Sequence, residues 1–110
     1  MTAYIYAGTD IDPILIIAEN LINKFAKAYN VNKKDIFKSR HMAFGYIRQS
    51  ISYILKMFVK GSTLERIGAA LGCHHATVFY SIKQVESWKR QKYIEFDTLI
   101  NIKNELNLSI

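Results

Sequence analysis

The chain has 110 residues, half of them apolar or aromatic and 22% charged, which suits one folded domain and excludes a disordered tail. The single cysteine, Cys73, excludes an internal disulfide framework and an all-cysteine zinc site, and no apolar run reaches the ~18 residues of a membrane span. Fifteen basic residues against nine acids give a net charge of +6, which points to an anionic partner.

Residues 1–9 (MTAYIYAGT) read as a short N-terminal arm. The first helix opens at Asp10-Ile11-Asp12-Pro13, because an acid can cap free N–H groups and proline fits the first turn. Ile14, Ile17, Ala18, Leu21, Phe25 and Ala28 then recur at helical spacing as far as Tyr29. Asn30-Val31-Asn32 breaks the pattern, and Lys33 to Phe37 gives at most one helical turn. A second long helix carries Ile47, Ile51, Ile54, Leu55 and Phe58 on one stripe. Gly61-Ser62-Thr63 ends it and supplies the next cap, with Glu65 at capping-box spacing from Ser62. A two-turn helix runs from Leu64 to Leu71, closed by Gly72. A further helix spans His75 to Gln91 with Val78, Ile82 and Val85 inward, and a last one carries Phe96, Leu99, Ile100 and Leu106. The expected fold is all-α, with about five helices in one domain over residues 10–110.

The positive charge is not spread evenly. Residues 33–60 hold seven basic residues and one acid, and residues 61–92 hold five and two, whereas both terminal segments are mildly acidic. Within the basic part, Thr63 to Val78 has the form of a helix-turn-helix. Gly68 supplies the small residue where the two helices cross, and Gly72 can take the left-handed conformation of the reversal. Ile67 and Leu71 lock against Val78 and Ile82. That packing turns His74, His75, Ala76, Thr77, Tyr80, Ser81 and Gln84 toward a DNA major groove. Lys56, Lys60, Ser62, Thr63, Tyr80 and Lys83 are placed to meet the phosphate backbone.

On these residues the run from Ala28 to Arg90 resembles the C-terminal DNA-binding domain of the bacterial replication initiator DnaA. The matching blocks are Tyr29-Asn30-Val31 with Lys34-Asp35-Ile36, then Arg48-Gln49, then Ser62 to Gly68, then His75-Ala76-Thr77-Val78. The resemblance implies a duplex-binding module of bacterial or phage origin, with Arg48 in the minor groove and His74, His75 and Thr77 at the bases. The signature departs from the family's Gly-Gly-Arg-Asp-His-Thr-Thr-Val. It is one residue shorter, with Cys73 in place of the arginine, His74 in place of the acid and Ala76 in place of a threonine. An altered sequence preference follows.

No Gly-x-x-x-x-Gly-Lys loop occurs, so the initiator's ATPase is not expected, nor any other enzyme activity. Cys73, His74 and His75, with His41, lack the spacing of metal ligands, and no cofactor is implied. Phe25, Phe37, Phe44, Phe58 and Phe96 suit core positions, while Tyr80 and Trp88 fall off the inward stripe. The expected partner is double-stranded DNA in the cytoplasm, with no membrane. The alternative is a protein-interaction module, suggested by the extra apolar residues Leu15, Ile16 and Ile22 on the first helix.

Overall fold

The computed structural model describes residues 12–38 and 42–106. The expected arm at 1–9 and His41 lie outside them. Five helices follow one another: α1 (Pro13–Tyr29), α2 (Met42–Phe58), α3 (Leu64–Leu71), α4 (His75–Gln91) and α5 (Ile94–Glu105), with a 3-10 turn at Lys33–Asp35 between α1 and α2. Among the described residues there is no strand, and the all-α expectation holds.

Helix α1 begins as its sequence dictates. The Asp12 carboxylate accepts the Ile14 N–H at 3.1 Å and Pro13 occupies the first turn. Asn30, at φ 55°, ends the helix in the left-handed conformation. Ile14, Ala18, Leu21 and Phe25 face the core as expected, whereas Ala28 is exposed and Ala26 is buried in its stead.

Helix α2 is the hub and packs against the other four helices. Of its predicted stripe, Ile47, Ile51, Ile54 and Leu55 are buried and Phe58 is half-buried; Ser50, Ser52 and Tyr53 are buried as well, so that residues 50–55 are enclosed almost all round. The Ser62 hydroxyl donates to the Leu55 carbonyl at 2.8 Å, which satisfies an end of α2 that has no further turn to bond. This commitment moves the cap of α3 by one residue. Thr63, not Ser62, caps it, accepting the Arg66 N–H at 3.1 Å, and the Ser62–Glu65 capping box does not form.

Two aromatic expectations also change. Phe37 is exposed, because its neighbour Ile36 takes the core position of that turn. Trp88 is buried against α2, with its ring edge-to-face on Tyr46 at 5.4 Å between centroids. Phe25 is buried, and Phe44, Phe58 and Phe96 pack half-buried against the core.

Candidate nucleic-acid interface

The α3–α4 reversal is built from the residues that the helix-turn-helix pattern needs. Gly72 is left-handed at φ 71° and ψ 34°, and the Cys73 N–H bonds back to the Gly68 carbonyl at 2.9 Å. A Cβ on Gly68 would lie 2.6 Å from the Cys73 carbonyl oxygen, so only glycine lets the turn fold down on α3. Ile67, Leu71, Val78 and Ile82 are all buried, which forms the expected lock between the helices.

With that face buried, α4 presents His75, Ala76, Thr77, Tyr80 and Lys83 to solvent. Ser81 is not among them: it is buried against α2, and Gln84 is half-buried. Phe79 joins the exposed set at 52%, beside Tyr80 at 57%. Its place next to Val78 in an apolar run hid it in the sequence. The helical angle from the Val78–Ile82–Val85 stripe is the signal that could have found it. Lys83, one turn on, lies 5.5 Å above the Phe79 ring.

His74 occupies the N-cap of α4. Its Nδ1 accepts the Ala76 N–H at 3.1 Å, which puts the ring proton on Nε2 and leaves one outward donor. The His74 and His75 rings stack at 4.3 Å. A capping histidine was not expected from the sequence, where serine, threonine, asparagine or aspartate usually fill this place.

Arg48 extends from α2 toward the same region. Its Nη1 donates to the Ile36 carbonyl at 2.7 Å, and the residue is half-buried. Arg48 and Gln49 from α2, with Thr77 and Tyr80 from α4, line one cleft of about 350 Å³. Among the described residues no acidic side chain lines it. The structure therefore brings Arg48, Thr77 and Tyr80 together, while His74 and His75 stand beside the cleft at the start of α4. The Ile36 carbonyl holds one end of the Arg48 guanidinium beside the cleft.

Of the residues expected at the phosphate backbone, Lys56, Lys60, Thr63, Tyr80 and Lys83 are exposed. Ser62 departs from the expectation, being 7% exposed with its hydroxyl given to α2. Burial pushes the Cys73 thiol up, away from the thiolate that a nucleophile or metal ligand requires. No cluster of three metal-ligating side chains occurs among the described residues, and none of the helices there is long and apolar enough to cross a membrane.

No curated protein matches the chain. A family model does, the bacterial dnaA protein helix-turn-helix, over residues 18–85. The matched span runs from α1 into α4 and takes in Arg48, the glycine turn and the exposed start of α4. It covers well over half of the chain, and the chain belongs to the bacterial DnaA helix-turn-helix family.

Proposed function

We propose that this chain binds double-stranded DNA with a sequence preference of its own, without ATPase activity, as a regulator or accessory replication factor in a bacterial or phage setting. The observation that carries the reading is the shared cleft. Arg48 from α2 and Thr77 and Tyr80 from α4 converge on it, with no acidic side chain among the described residues that line it, beside the exposed first turns of α4. In this arrangement α4 enters the major groove, and His75 and Thr77 meet base edges. Arg48 reaches into the adjacent minor groove, while Lys56, Lys60, Thr63, Tyr80 and Lys83 hold the backbone. His74 offers its Nε2–H to a base or a phosphate from the cap position. Cys73 and Ala76 cannot make the bidentate or hydroxyl contacts of an arginine and a threonine, so the preferred site differs from the initiator's own box.

Selection of bound duplexes from a random library tests this directly. An enriched motif is expected, with affinity falling on a log–log salt plot by about 0.9 per phosphate neutralised. Failure to retain any duplex at low salt would overturn the reading. A second reading, a protein-interaction module, rests on Leu15 and Ile16, which are 43% and 51% exposed on α1 rather than packed against α5. Ile22 packs against the core and does not support it.

A further inference from the structure

The cleft holds two polar groups that folding leaves unused. Ser52 on α2 and Ser81 on α4 are 3% and 5% exposed, and both line it. Neither hydroxyl makes a hydrogen bond within the described residues. Their neighbour Ser62, just as buried, does make one, to the Leu55 carbonyl. Ser50 Oγ is the one fully enclosed, unpartnered side-chain polar atom among the described residues, so the Ser52 and Ser81 hydroxyls are not sealed in and stay open to the cleft they line.

Gly45 adds an independent sign on the same wall. Glycine inside a helix weakens it relative to alanine, and nothing in the fold demands glycine here. A Cβ at this position would meet only Arg48 Nη2, at an ordinary 3.9 Å. Gly45 lines the cleft beside Arg48 and adds no side chain to that wall. Two unused donors on facing helices, a guanidinium and no carboxylate among the described lining residues describe a seat for an anion with several acceptor oxygens.

We infer that this cleft seats one phosphate group of the bound DNA strand, with the Ser52 and Ser81 hydroxyls donating to its oxygens and Arg48 supplying the charge. The inference rests on the duplex-binding reading. A strand passing between the major groove occupied by α4 and the minor groove reached by Arg48 crosses this cleft.

The test compares the full chain with the double variant Ser52→Ala, Ser81→Ala in duplex titrations followed by fluorescence anisotropy. The variant should melt at the same temperature or higher, bind about tenfold more weakly, and keep the wild-type salt slope, since no charge is removed. Replacing backbone phosphates one at a time with neutral methylphosphonate should reveal one position whose effect is large for the wild type and small for the variant. Unchanged affinity in the variant, with the wild type binding duplex, overturns the phosphate seat and leaves duplex binding intact. If the wild type binds no duplex, inorganic phosphate is titrated while the Ser52 and Ser81 amide resonances are followed. Saturable shifts there keep the anion seat but assign it to free phosphate, against the strand; no shifts overturn it altogether.

Discussion

Asp12 and Arg66, fifty-four positions apart in the chain, are joined by a forked contact in which Nε and Nη2 of the arginine each donate to a different carboxylate oxygen. Asp12 also caps α1, and Arg66 Nη1 donates to the Gly61 carbonyl at 2.6 Å. One carboxylate thus fastens the start of α1 to the start of α3 and to the loop before it. The arginine holds the Asp12 carboxyl at about 2, below its ordinary 3.8. Because the folded value is the lower one, the stabilisation is fully present above pH 3.8 and fades as pH falls toward 2. Thermal melts between pH 7 and pH 2 should show this loss in the wild type and a flatter profile in Asp12→Asn. Asp12→Ala should cost about 1 kcal/mol at neutral pH from the cap alone.

Gly68 and Gly72 answer the same substitution differently. Gly68→Ala drives a Cβ into the Cys73 backbone and should cost roughly 1–3 kcal/mol, because the crossing of α3 and α4 must open. Duplex affinity should fall with it. At Gly72 no atom lies within 4 Å of the added Cβ, so alanine brings only the strain of a positive φ, about 1 kcal/mol. Urea unfolding and duplex titration of both variants separate the two. A Gly68→Ala variant as stable as the wild type would refute the close-crossing account.

Ser50 gives a prediction of the opposite sign. Its Oγ is fully enclosed on α2 without a hydrogen-bond partner. Ser50→Ala removes an unsatisfied group and improves helix propensity, so stability should rise by about 1 kcal/mol. The midpoint of urea unfolding should increase with no change in slope.

His74 combines a cap with a candidate DNA contact, and the two separate by substitution. His74→Ser keeps a capping oxygen and should preserve stability, whereas His74→Ala should lose about 1 kcal/mol. A serine variant that is stable but binds duplex less well identifies the outward Nε2–H as the contact. A serine variant equal to the wild type in both assays confines His74 to the cap.

At Thr77, alanine should lower affinity by about 1–3 kcal/mol and relax preference at one base pair. Lys60→Ala should instead weaken all duplexes alike and reduce the salt slope by about one phosphate. Parallel titrations against the selected and a scrambled duplex distinguish the two behaviours.

The helices were legible because their punctuation is local. Asp12-Pro13, Asn30, Gly61 and Gly72 mark starts and stops by backbone chemistry that needs no tertiary partner. The glycine crossing at Gly68 was equally readable, since only one residue type fits it. What the sequence hid depends on the third dimension. Ser62 and Thr63 are both capable caps, and the choice between them fell to the carbonyls at the end of α2. Phe37 reads as core until Ile36, one residue away, fills that place. The cleft was the least visible feature, because Ser52 and Ser81 lie on helices whose facing sides are set by packing, and serine carries no periodic signal.

The burial of Trp88 has a practical consequence. It is the chain's one tryptophan, it lies 4% exposed against Tyr46, and neither it nor Tyr46 lines the cleft. Its fluorescence is therefore a built-in gauge of whether the hub helix and α4 remain docked, and a ligand in the cleft should leave it undisturbed. Each variant's integrity can be read from intrinsic emission in the same cuvette that holds labelled DNA, without adding a dye to the protein.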